Sequence, residues 1–299
     1  MGAAAEAGED GLGPPLDWQG RPVRCRECAH IAINQMGLCA RGKACIRDRR
    51  ARRVERFLRG NPDLADSYLD HPYFEVRAGA ARYCNPFRLP ALLRDPEPEV
   101  RAMATLRLPE ERIREMIRDE DMDVRIAAAA RLSGPALLSA IHDSAYMVRL
   151  TAVRRMPVEL LPLVRHDPDP EVRQWVARRI DIRALPDMAF DPDSQVRRQV
   201  AERLPADQLV ILAQDSDLAV RFCVAERAVE EDLFALVDDP EEMVRALARA
   251  RIAAVPALAG RLEAALCRRP ALRLLPAIDT DAASAGAAGH AGPETEQER

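Results

Sequence analysis

Asp191-Pro192-Asp193-Ser194-Gln195-Val196-Arg197-Arg198-Gln199-Val200-Ala201-Glu202-Arg203-Leu204-Pro205 is the clearest copy of a phrase that decides the architecture. Asp before Pro reads as an N-cap followed by a favoured first helical residue, and further acids complement the helix N-terminus. Val196, Val200 and Leu204 recur at i, i+4 and i+8, so one side of the helix is buried. Pro205 ends the helix after about three turns. Leu209, Leu212 and Ala213 then mark a second, shorter helical segment. The unit is helix, corner, short helix, corner.

The Val-Arg pair inside this phrase returns every 24 residues, at Val76-Arg77, Val100-Arg101, Val124-Arg125, Val148-Arg149, Val172-Arg173, Val196-Arg197, Val220-Arg221 and Val244-Arg245. A fixed period of this length means a solenoid, in which stacked neighbours build the core that no single repeat can. Each arginine falls about 100° from its valine on a helical wheel, at the edge of the apolar arc. A guanidinium there needs its donors satisfied. The expected acceptor is the aspartate six residues earlier, at Asp95, Asp119, Asp143, Asp167, Asp191, Asp215 and Asp239, with His71 in the first copy. The reading is a structural ladder of Asp-Arg contacts, within or between repeats. An anion-binding stripe is the sharper alternative.

Few aromatics (4%) and abundant alanine suit closely packed helices. The net charge of −4 hides an asymmetry, because residues 21–59 carry twelve basic and three acidic side chains. The flanking segments are both acidic, so a separate small module is expected at the front. No apolar run approaches the ~20 residues needed to cross a bilayer, and the start lacks a signal-peptide pattern. A soluble, cytoplasmic protein is expected, with no membrane partner. In that compartment seven cysteines point to metal binding or reactivity rather than disulfides.

Four of them, Cys25, Cys28, Cys39 and Cys45, are spaced C-x2-C-x10-C-x5-C. Four thiolates so concentrated indicate a metal site. Tetrahedral zinc and a four-iron cluster both suit this donor set, and the spacing leaves both open. His30 is a bystander beside a complete set of four. Cys84, Cys223 and Cys267 read as small core hydrophobes. His142 and His166 are expected at exposed corners, and Trp175 is either a packing filler or an anchor for a partner. No P-loop, Gly-x-Gly-x-x-Gly, His-Glu-x-x-His or Gly-x-Ser-x-Gly is present, so no enzyme activity is expected.

The Asp-Pro…Val-Arg…Ala phrase is similar to HEAT-type repeats, although the HEAT unit is much longer than this one. A short period with Leu-Pro corners, preceded by four cysteines, resembles the leucine-rich repeat variant proteins of nitrogen-fixing bacteria. That resemblance implies an all-α, right-handed solenoid of alternating α and 3₁₀ helices. It further implies that Cys25, Cys28, Cys39 and Cys45 ligate a [4Fe-4S] cluster, with zinc as the alternative.

The expected organisation is a flexible lead-in over 1–20 and a four-cysteine module with a basic helix over 21–60. Repeats follow over 61–267, then a cap remnant and disordered tail over 268–299. In the basic segment Ile46, Val54, Phe57 and Leu58 mark a buried face, and Arg47, Arg49, Arg50, Arg52, Arg53, Arg56 and Arg59 cover the rest. The first repeat is atypical at His71, Tyr83 and Cys84, as an end covered by another element would be, so Val54, Phe57 and Leu58 are expected against it. The functional expectation is a non-enzymatic, redox- or oxygen-responsive cluster on a protein-binding scaffold, associated through the resemblance with nitrogen fixation. An electron-transfer component is one alternative. A nucleic-acid binder acting through the basic helix is the other, disfavoured because the body is net acidic.

Overall fold

The computed structural model describes residues 13–267. The tail expected over 268–299 and the first part of the lead-in lie outside the described residues. Eight repeat helices begin 24 residues apart: Phe74–Tyr83, Pro98–Arg107, Met122–Ala129, Tyr146–Arg155, Pro170–Arg179, Ser194–Arg203, Leu218–Arg227 and Glu242–Ala253. Between them run 3₁₀ segments such as Gly134–His142, Val158–Val164 and Ala206–Leu212, two of them adjoined by a short α turn. After the eighth helix the pattern changes, and an α-helix, Pro256–Cys267, replaces the 3₁₀ segment. Extended pairing among the described residues is confined to the isolated bridges Leu16–Pro22 and Ala40–Ala44. The fold is an all-α solenoid.

Its core is one continuous column. Val76, Val100, Val124, Val148, Val172, Val196, Val220 and Val244 are all buried, together with the 3₁₀ residues Leu137, Leu161, Leu185, Leu209 and Leu233. The side chains are small because helices from consecutive repeats lie side by side along the stack, with no room for rings.

The Asp-Arg ladder exists, but it runs to the next repeat. Arg173 Nε and Nη2 donate to Asp191 Oδ2 and Oδ1 at 2.8 and 2.9 Å, eighteen residues onward. The same forked pair joins Arg77 to Asp95, Arg101 to Asp119, Arg125 to Asp143, Arg149 to Asp167, Arg197 to Asp215 and Arg221 to Asp239. The aspartate six residues earlier contributes only its carbonyl, as Asp167 O does to Arg173 Nη1 at 2.8 Å. Nor is that aspartate the helix N-cap. Asp191 Oδ1 accepts the Asp193 N–H at 2.9 Å, and Asp193, two residues on, caps the helix by accepting from Gln195 and Val196. Each carboxylate thus ties a corner of its own repeat to a guanidinium of the one before.

A second ladder runs along the other end of the helices. Arg203 donates to the Ala177 and Ile180 carbonyls of the preceding repeat, at 2.6 and 2.8 Å. Arg107, Arg131, Arg155, Arg179, Arg227 and Arg251 repeat this bond to one or both equivalent carbonyls. The last carbonyls of a helix have no partner within it, and a cation there also faces the negative end of the helix dipole. These arginines also recur every 24 residues, so the sequence carried the signal for them.

Two cysteine assignments hold and one does not. Cys84 and Cys223 are buried, but Cys267, the last residue of its helix, is exposed. His142 and His166 are exposed at their corners. Trp175 is half-buried between Arg154 and Arg178, whose guanidinium carbons lie 4.5 and 5.1 Å from its ring centre.

Candidate metal centre

The module at the front is built from turns, which leaves its cysteines to be placed by local hydrogen bonds. Cys25 opens the 3₁₀ turn Cys25–Glu27, closed by the Cys28 N–H on the Cys25 carbonyl at 3.1 Å. The short helix α1, Ile31–Gln35, then runs into Gly37, whose φ of 76° only glycine adopts freely. Asn34 returns from α1 to hold the Cys39 carbonyl at 2.7 Å. A second left-handed turn at Gly42, φ 76°, lets Ala40 pair with Ala44 and delivers Cys45. The Cys45 N–H is held by the Arg53 carbonyl of the basic helix α2, Ala51–Gly60, at 3.0 Å.

The four thiols come within electrostatic reach of one another. Cys39 and Cys45 are buried, while Cys25 and Cys28 are half-buried and face the solvent side. The Cys45 thiol hydrogen-bonds to Cys39, which holds Cys39 below the usual thiol value and pushes Cys45 well above it, with burial adding to the rise. Burial, then the proximity of Cys45 and Cys28, raises Cys25, against the pull of Arg41 and Arg47. A bound metal cation would stabilise all four groups as thiolates, because coordination takes the deprotonated sulfur. Among the described residues no three His, Cys, Asp or Glu side chains are arranged around one point to hold a single metal ion. The donors on offer are four thiols, two sheltered and two near the surface, a set whose chemistry suits an iron–sulfur cluster.

His30 is engaged with two aromatic side chains. Its ring packs 5.2 Å from Phe57 and hydrogen-bonds the Tyr68 hydroxyl, and burial lowers its pKa. Tyr68 is pushed up to about 12 by burial first and then by the Cys28, Cys45 and Cys39 charges, which places it beside the centre.

Behind Cys45 lies a group that the helical pattern conceals. Arg53, expected on the solvent face of the basic helix, is fully buried with Asp48, its Nη1 3.0 Å from Asp48 Oδ2. Arg53 also donates to the Gly13 carbonyl at 2.8 Å, and Asp48 accepts the Arg50 N–H at 3.0 Å. Its partner is supplied by the lead-in and the cysteine loop, neither of which a wheel of one helix contains. Residues 13–20, expected to be flexible, are folded in: Leu16 accepts the Arg49 N–H at 2.9 Å and Trp18 stacks on Tyr73 at 6.4 Å.

The module covers the first repeat. Its helix α2 lies on α3, Phe74–Tyr83, so closely that a Cβ at Gly79 would sit 3.1 Å from Leu58 Cδ1 and 3.4 Å from Val54 Cγ1. Phe57 is buried on the module side, next to His30. The atypical first-repeat residues serve this joint. Tyr83 and Arg82 both reach Glu55 of α2, at 3.4 and 3.2 Å, and His71 Nδ1 accepts the Tyr73 N–H at 3.0 Å as the aspartates do elsewhere.

Comparison with known proteins finds likeness in both parts of the chain. Residues 15–67 match the family model described as "LRV protein FeS4 cluster", and residues 195–217 match that of the leucine rich repeat variant. An uncharacterized 27.7 kDa protein from the nifB 3′ region of Rhodobacter capsulatus is 49% identical over 81 residues, covering 27% of this chain and 33% of that protein. The match thus spans about a third of the relative's length. A solved structure titled as a leucine-rich repeat variant with a novel repetitive structural motif superposes with a TM-score of 0.71 at 38% identity, over 77% of this chain and 98% of that one. With most of both chains aligned at that identity, and four cysteines gathered where the cluster model matches, the chain belongs to the leucine-rich repeat variant family.

Proposed function

We propose that Cys25, Cys28, Cys39 and Cys45 hold a [4Fe-4S] cluster whose presence or redox state is communicated to a protein-binding solenoid. The observation that carries this reading is the double role of α2. Its Arg53 carbonyl holds the Cys45 amide, and its Val54 and Leu58 lie against Gly79 of the first repeat. Anything that releases Cys45 therefore acts on the element that caps the stack. When bound, the cluster would supply one-electron redox chemistry and sensitivity to oxygen. The chain's own residues anchor the thiolates, exclude water from Cys39 and Cys45 and transmit strain. A non-catalytic role in a reducing compartment is consistent with the repeat scaffold. The origin of the Rhodobacter relative, a nifB 3′ region, supports a place in nitrogen fixation.

Protein purified without oxygen should be brown, carry about four irons per chain with matching sulfide, and bleach in air. A colourless product with one tightly held zinc would overturn the proposal. Amide exchange on holo and apo protein tests the coupling: the first repeats should lose protection with the cluster while residues 170–250 keep theirs. Equal protection in both forms would leave the cluster without a route to the scaffold. Electron transfer is the second reading, favoured by the half-exposed side of the centre at Cys25 and Cys28.

A further inference from the structure

The two ligands nearest the surface sit inside a cationic rim. Arg24 and Arg26 flank Cys25 in sequence and are exposed, and Arg41 is exposed too. Arg41 and Arg47 both lie close enough to act on the Cys25 thiol, and Arg47 is anchored to this turn through the Glu27 carbonyl at 3.4 Å. The carboxylate of the same turn, Glu27, is paired with Arg24 at 3.2 Å. Cys39 and Cys45 are 7% and 4% exposed, so among the described residues the accessible side of the centre is that of Cys25 and Cys28. That side is positive.

We propose that this rim, Arg24, Arg26, Arg41 and Arg47 around the Cys25–Cys28 turn, docks the acidic face of a protein electron carrier. The proposal rests on the reading that the four cysteines hold a redox cluster. One electron is exchanged there between the chain's centre and the carrier's cofactor, each changing oxidation state by one, with no proton or covalent bond moved on this chain. Complementary charge sets the approach and orientation of such a partner more than the final affinity. A nucleic acid fits less well. Phosphate binding needs a positive track continued along the body, and the segment after the module is net acidic. The positive charge here is gathered around the cysteine turn instead.

The test uses the full chain, purified anaerobically with its iron and sulfide measured, and three probes: an acidic flavodoxin, a basic cytochrome c and a short DNA duplex. Flavodoxin should bind, and its affinity should fall at least about tenfold between roughly 50 and 300 mM salt. The triple variant R24Q/R26Q/R41Q should weaken that binding about tenfold at low salt while iron content and melting temperature stay unchanged. Arg183→Gln, 90% exposed on the solenoid, should change neither. A cluster-loaded triple variant that binds flavodoxin as well as the parent would overturn the docking surface alone. So would tighter binding of cytochrome c or of DNA than of flavodoxin. A zinc-loaded chain would overturn the underlying reading, and the metal analysis distinguishes that failure from the others.

Discussion

Arg53 and Arg173 show how differently arginines behave that look alike in the sequence. Arg53 and Asp48 are both fully buried. Removing one partner of such a pair strands the other charge, so Arg53→Ala should destabilise the module by about 3–5 kcal/mol. The neighbouring exposed Arg52→Ala should cost less than about 0.5 kcal/mol. Thermal melts with iron retention measured in parallel would show it, and equal effects would remove Arg53 from any role in supporting Cys45. Arg173→Ala should cost about 2–4 kcal/mol by stranding Asp191, whereas the partly exposed Arg198→Ala should cost less than about 0.5. The partner assignment is tested by double-mutant cycles. Arg173 with Asp191→Asn should couple by about 1–3 kcal/mol, and Arg173 with Asp167→Asn by markedly less.

The repeat helices are joined to their neighbours at both ends. The forked ion pairs fix the N-terminal corners, and the second arginine row caps the C-terminal carbonyls of the preceding helix. Arg203→Ala should therefore leave the Ala177 and Ile180 carbonyls underbonded and cost about 1–3 kcal/mol in urea unfolding. A loss no larger than that of Arg198→Ala would mean that water replaces the guanidinium without penalty. At the module joint the fit is set by the missing side chain of Gly79. Gly79→Val should overpack Leu58 and Val54 and destabilise by about 1–3 kcal/mol, with amide protection lost first in α2 and α3. Retained protection there would show that the two helices can separate slightly at no cost.

Three carboxylates of the ladder also give the stack a response to acid. Burial opposes ionisation of Asp119, Asp143 and Asp239, but the arginine and backbone hydrogen bonds prevail and hold their carboxyls below the ordinary value. A carboxyl depressed in the folded state contributes stability above its unfolded pKa and loses it as pH falls through the folded one. The solenoid should thus keep its stability down to about pH 4 and lose it progressively below that. Circular dichroism against pH would follow the loss, and Asp143→Asn should flatten it. Uniform stability from neutral to strongly acid pH would show that the pairs contribute nothing net.

The 24-residue period, the helix in each unit and the four-cysteine cluster were legible because each is a local pattern: apolar spacing, a proline corner, thiols within one short segment. The burial of the valines follows directly from that spacing. What the pattern could not supply was the partner of any group that bonds outside its own repeat. A helical wheel shows that Arg173 faces inward, but Asp167 and Asp191 belong to corners of the same kind, and stacking alone puts Asp191 at the guanidinium. The same holds for Arg53, which a single helix assigns to solvent and which the lead-in and the Asp48 turn enclose. Local sequence sets which face is apolar, because periodicity is a property of one element. The identity of a polar partner is set by packing, because a buried charge takes whichever acceptor the neighbouring chain brings within hydrogen-bond distance.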